Sequence, residues 1–121
     1  MARREMMKVV RVSDVDAHEV AGNYFKGRVS IQGIIGESED GFRVIVVHFS
    51  PGAASVFHTH TADHVLYVTE GTGIVATERE EITVTPGTVI HIPAGERHRH
   101  GATEEAAVSQ IAIMPPGETS Y

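Results

Sequence analysis

The residues best suited to chemistry are histidines. Eight occur among 121 residues, and the densest group is His58-Thr59-His60 with His64 close behind. Side chains alternate across a pleated strand, so positions i and i+2 share a face. The His58 and His60 imidazoles therefore aim at one point. A second pair, His98-Arg99-His100, follows Pro93-Ala94-Gly95-Glu96-Arg97 and obeys the same parity. Three or four convergent imidazoles suit one divalent ion of the Mn, Fe, Co, Ni, Cu or Zn group. Neutral donors leave the full charge on such an ion, so a bound hydroxyl or water becomes more acidic. Octahedral coordination with four protein donors leaves two adjacent positions for a bidentate substrate, or for substrate plus dioxygen.

The elements that must position these side chains read as strands. Phe42–Phe49 is the clearest, with Ile45, Val47 and Phe49 on one face and Val44, Val46 and His48 on the other. Upstream, 9–12 reads as an opening strand, 24–31 as a second strand ended by Gly33 and Gly36, and 37–41 as an acidic turn. Downstream, β-branched and apolar runs predict strands over 65–69, 73–77, 81–84, 88–92, 98–100 and 107–114. Turn residues separate them at Glu70-Gly71, Glu78-Arg79-Glu80, Pro86-Gly87 and Ala94-Gly95. No segment sustains a helical period. Many short strands with Gly/Pro turns indicate an all-β sandwich or barrel. Pro115-Pro116-Gly117 ends the last strand and predicts a loose tail over 115–121, while 1–6 reads as an extension before Met7.

The whole of 1–121 is expected to be one domain, with 41% hydrophobic residues to build its core. There is no cysteine, which removes disulfides and thiolate chemistry and is compatible with a reducing cytoplasm, the expected location. A net charge of -6 without a basic run argues against nucleic acid. No apolar stretch approaches the ~20 residues of a membrane-spanning helix.

Two spaced motifs carry a resemblance. Gly52, His58-x-His60, His64 and Gly71 form the first, and Gly87, Pro93-x-Gly95 and His98 the second. In order and spacing they resemble the paired motifs of the cupin superfamily, which implies a jelly-roll β-barrel, also called a double-stranded β-helix. The chain departs from the pattern twice. His64 stands where the common motif has glutamate, which implies an all-histidine site, and Ala102 stands where it has asparagine. The runs Phe49-Ser50-Pro51-Gly52-Ala53, Arg97-His98-Arg99-His100-Gly101-Ala102-Thr103 and Ile111-Ala112-Ile113 are similar to those of small single-domain cupins with manganese hydroxynitrile lyase activity. There the fourth ligand is glutamine, another departure at His64.

The resulting expectations are specific. His58, His60, His64 and His98 hold one divalent metal per chain, with Mn or Fe first and Ni, Co, Cu or Zn also compatible. His100 is a cavity residue that moves protons, with a pKa near neutral. By that resemblance Ile45, Val47, Gln110 and Met114 line a substrate pocket; parity alone puts Gln110, Ala112 and Met114 on one face, which either lines the pocket or is core. If Ile45 and Val47 line the pocket, His48 lies outside it in a structural or interface role; His91 is left open, His18 is solvated, and Glu96 and Arg97 are exposed. The function implied is a metal-dependent enzyme acting on a small organic molecule, either a C–C lyase of the hydroxynitrile lyase type or a dioxygenase. The alternative is a non-catalytic module that binds a small ligand. The expected partners are that small molecule and a second copy in a homodimer, with neither nucleic acid nor membrane.

Overall fold

A computed structural model describes residues 7–36 and 41–121. The extension assigned to 1–6, and the acidic turn apart from Gly41, lie outside the described residues. Thirteen strands occur among the described ones: β1 (His18–Glu19), β2 (Phe25–Lys26), β3 (Val29–Ile35), β4 (Arg43–Phe49), β5 (Ala54–Ser55), β6 (Thr59–His60), β7 (His64–Gly71), β8 (Gly73–Ala76), β9 (Glu81–Val84), β10 (Val89–Ile92), β11 (Arg99–Ala102), β12 (Val108–Met114) and β13 (Thr119–Ser120). The only helical element among these residues is a 3₁₀ turn at Val12–Asp14, and none is long and apolar enough to cross a membrane.

The strands form two main sheets, in the orders β1-β3-β4-β12-β7-β10 and β2-β5-β11-β8-β9, with a small third sheet pairing β13 and β6. All pairings are antiparallel. Strand parity decides what lies between the sheets. Ile45, Val47 and Phe49 of β4, Leu66 and Val68 of β7, and Val108 and Ala112 of β12 join Val29, Ala53, Val84, Ile92 and Ala102 in one apolar core. Burying a side chain such as Phe49, only 1% exposed, contributes about 1.5–3 kcal/mol. Alternation fails on β4 because Val46 of the opposite face is also buried.

Several expectations are corrected. The opening strand at 9–12 is absent: Met7–Arg11 is irregular and exposed, and Val12 opens the 3₁₀ turn. That turn is tied down by the Gln32 amide, which donates to the Val12 and Val15 carbonyls at 3.0 and 2.8 Å. The strand expected at 24–31 is two strands in different sheets, because Gly27 turns the corner. Its φ is +83°, and a Cβ there would lie 2.8 Å from the Ala53 Cβ. The second strand does not end at Gly33. It continues to Ile35, with a register shift between Gly33 and Ile35.

The tail is not loose. Thr119 and Ser120 pair with His60 and Thr59. The Thr61 N–H donates to the Glu118 carbonyl at 2.9 Å, and the Glu118 N–H to the Thr61 hydroxyl at 2.8 Å. Proline at 115 and 116 ends β12 but leaves the chain free to return.

Candidate metal centre

Backbone pairing brings the two histidine motifs together. The His58 N–H donates to the His98 carbonyl at 2.9 Å, and the His98 N–H to the His58 carbonyl at 3.0 Å. The Gly95 N–H, presented by a glycine at φ +84°, donates to the His60 carbonyl at 2.9 Å. Donor atoms of His58, His60 and His98 then lie within 4.8 Å of one another, all three residues buried. The ring centroids are 4.2 Å apart for His58 and His98, 4.7 Å for His58 and His60, and 5.3 Å for His60 and His98.

Hydrogen bonds set the tautomers. His58 Nδ1 lies 2.7 Å from the Val56 carbonyl, and His98 Nδ1 2.8 Å from the Glu96 carbonyl. A carbonyl only accepts, so each Nδ1 carries the proton and each Nε2 keeps its lone pair. Both Nε2 atoms are buried and have no partner among the described residues. A buried acceptor without a partner costs about 1–3 kcal/mol, so this arrangement makes physical sense around a cation. Electrostatics agree. Burial first, then the neighbouring imidazoles, pushes His58 and His60 down to about 4. Burial also lowers His98, against the opposing hydrogen bond to the Glu96 carbonyl. These groups are neutral at pH 7, the form that ligates metals. The three donors, with the tautomers of His58 and His98 fixed, fit a divalent transition ion.

His64 lies beside this group. It is outside the group of three convergent donors and stacks on His60, with centroids 3.6 Å apart and planes at 16°. Its pKa is also about 4, chiefly through burial. The geometry is thus a triad with a fourth imidazole alongside, where four convergent ligands were expected.

His60 and His64 open onto a cavity of about 320 Å³. Ile45, Val47 and Met114 line it, with His100, Leu66, Ala112, Tyr24, Phe25 and Tyr121. Gln110 does not line it. It is 0% exposed, one step deeper on the face it shares with Ala112 and Met114, and neither amide atom has a hydrogen-bond partner. His100 points inward as its parity with His98 requires, the two rings nearly parallel at 5.9 Å. Its N–H donates to Ser55 Oγ at 3.1 Å, and its Nδ1 is buried without a partner. The near-neutral pKa expected of His100 is corrected: burial, then His58, His98 and His60, drives it well below 6.5.

The other histidines fall outside this cluster. His48 is on the opposite face of β4, bridging Ser109 Oγ at 2.7 Å and Gln32 Oε1 at 2.6 Å. His91 pairs with Asp63 at 2.8 Å on the surface, and His18 is exposed. Glu96 contributes its backbone carbonyl, while the Arg97 guanidinium lies over the Phe57 ring, 4.8 Å from its centroid. Sequence reasoning missed three residues here. Asp63 accepts from the Ala94 N–H at 2.9 Å and ties the His60–His64 loop to the second motif; its place between the histidines was the available signal. Arg43, the only charged side chain among the described residues of the cavity lining, shares the parity of Ile45 and Val47. Thr119 lies 2.8 Å from His60 Nδ1, and nothing local in the sequence connects them.

Comparison with known proteins agrees with this geometry. The chain is 32% identical over 111 residues to an (R)-mandelonitrile lyase of Granulicella tundricola, a match covering 89% of this chain and 84% of that one. Among solved structures, a cupin-like protein of Thermotoga maritima superimposes with a TM-score of 0.81 at 25% identity, covering 85% of this chain and 82% of that one. The polyketide cyclase RemF of Streptomyces resistomycificus also gives 0.81, at 26% identity, covering 96% and 87%. Residues 45–120 match the cupin domain family, spanning both histidine motifs and the strand that returns to His60, and the chain belongs to the cupins.

Proposed function

We propose that this cupin is a metal-dependent enzyme acting on a small organic substrate, and that its reaction is C–C bond cleavage of the hydroxynitrile lyase type. The observation that carries the metal reading is the pair of buried Nε2 lone pairs on His58 and His98, converging with His60. The likeness to an (R)-mandelonitrile lyase supports the reaction class. His58, His60 and His98 would hold the ion, with His64 as a fourth donor beside them and Mn or Fe as the first candidates. Bound there, the ion supplies Lewis acidity toward a substrate hydroxyl.

The chain's own residues do the rest. Ile45, Val47, Leu66 and Met114 give the cavity an apolar wall that suits a small organic molecule. His100, neutral and part of the cavity lining, accepts the hydroxyl proton. The C–CN bond breaks with its electron pair leaving on cyanide, and His100 returns the proton to give an aldehyde and hydrogen cyanide. Its low pKa makes it a weak base, so it serves only a hydroxyl that is already acidified. Arg43 places a positive charge at the cavity wall and supports a substrate, or a released anion, with a polar end. We place this activity in a cytoplasmic homodimer, in keeping with the cysteine-free composition and the exposed Tyr67 and Val89 of the large sheet.

The test is release of benzaldehyde from mandelonitrile by protein loaded with Mn(II) or Fe(II), with His100→Ala as control. Turnover that needs both metal and His100 supports the reading. Ligand-binding heat without turnover by either form, or oxygen uptake in its place, rejects the lyase reading for the binding or dioxygenase class.

A further inference from the structure

The three converging histidines are not held alike. The backbone holds His58 and His98 through carbonyls, which only accept. His60 Nδ1 instead meets a side chain, Thr119 Oγ1, at 2.8 Å and 59 residues away in the chain. A hydroxyl can accept from Nδ1–H, leaving Nε2 free to ligate. It can equally donate to Nδ1, placing an N–H on Nε2 toward the cavity. His60 is thus the one member of the triad whose tautomer the backbone does not fix.

The segment carrying Thr119 is docked mainly on the ligand segment itself. β13 pairs only with β6, aligning Thr119 with His60 and Ser120 with Thr59. Two further hydrogen bonds join Glu118 to Thr61. The approach is close: a Cβ on Gly117 would lie 2.8 Å from the Thr61 hydroxyl. Beyond Thr119, the Tyr121 ring packs edge-on against Tyr24 at 5.3 Å, and Tyr24 lies 4.7 Å from His58. Thr119, Tyr121 and Tyr24 all border the cavity.

We propose that Thr119 is a positioning residue for His60, and that docking of the Gly117–Tyr121 segment is coupled to occupation of the metal centre. This rests on reading the triad as a metal site. An ion on His60 Nε2 requires the proton on Nδ1, which makes Thr119 the acceptor and tightens the strand that carries it. Coupling of this kind is reciprocal, so the docked strand must in turn raise metal affinity.

Full-length wild type, Thr119→Val and Thr119→Ser are titrated with Zn(II) and Mn(II) against a competing chelator. Hydrogen exchange is followed at the Thr61 amide and across 117–121, with and without metal. Valine keeps the β-branched shape and removes only the hydroxyl. Loss of such an outer partner weakens metal binding about 10–100-fold, so that loss is expected for Thr119→Val, with recovery in Thr119→Ser. Metal should slow exchange at Thr61 in the wild type and not in Thr119→Val. Wild-type affinity in Thr119→Val overturns the proposal, as does a Thr119→Ser protein as weak as the valine variant, because restoring the hydroxyl would then restore no affinity. Wild-type protein that binds neither ion overturns the metal reading itself, a distinguishable result.

Discussion

Replacing His98 by alanine should change stability little without metal and remove most of the stabilisation that metal brings. Without metal, His98 keeps a buried Nε2 with no partner; removing it relieves a penalty of about 1–3 kcal/mol. Against this stand the lost hydrogen bond to the Glu96 carbonyl, worth about 1 kcal/mol, and lost ring contacts with His58. The mutual backbone bonds between residues 58 and 98 do not need the imidazole and persist. The terms nearly cancel, so metal-free His98→Ala should lie within about 1.5 kcal/mol of wild type. With metal at a thousandfold excess over Kd, wild type gains about 4 kcal/mol. For 121 residues, an unfolding entropy of about 2.1 cal/mol/K per residue turns this into a rise in Tm of about 16 °C. His98→Ala should show almost none of it. The assay is a pair of thermal melts on each protein, chelated and metal-loaded. A chelated His98→Ala melting more than about 10 °C below wild type would mean that the imidazole is a structural core residue. A full metal shift retained by the variant would refute its place among the ligands.

Acidification tests the neutral histidines. Their folded pKa of about 4 lies below the 6.5 of an unfolded imidazole, so between these values the unfolded chain binds more protons and stability rises with pH. The chelated protein should therefore lose Tm steadily as pH falls from 6.5 to 4, and a flat profile would contradict burial of uncharged rings. Arg43→Met should raise KM for substrates carrying an anionic or strongly polar end, several-fold, with kcat little changed; equal effects on all substrates would remove Arg43 from recognition. Gly71→Ala combines a φ of +81° with a Cβ that collides with the Ala107 carbonyl. It should cost about 2 kcal/mol or more, seen as a loss of soluble protein or a Tm lower by about 8 °C. Light scattering should return twice 13.1 kDa for the proposed homodimer, and a monomer would end that proposal.

Parity and turn chemistry made most of the barrel legible. Strand β4 with its two faces, the turns at Gly71, Gly87 and Gly95, and the inward aim of the His58/His60 and His98/His100 pairs all follow from short-range rules. What failed needed long-range information. Val9–Val12 has the composition of a strand but meets no sheet edge, whereas Gln32 draws the next residues into a turn. Gly27 sits inside a convincing β run, and only its approach to Ala53 shows that the chain changes sheets there. Thr119 is invisible locally because its partner precedes it by 59 residues.

The position of β12 has a consequence for biosynthesis. Residues 108–114 sit in the middle of the large sheet, between β4 and β7, although they are translated after both. Until they leave the ribosome, Val44–Phe49 and Val65–Val68 each lack one neighbour, and the nascent chain carries two open, apolar strand edges of the kind that recruits other chains. A message truncated before the Val108 codon would yield a product with both histidine motifs intact and those edges uncovered. It should partition into aggregates rather than into a metal-binding fragment.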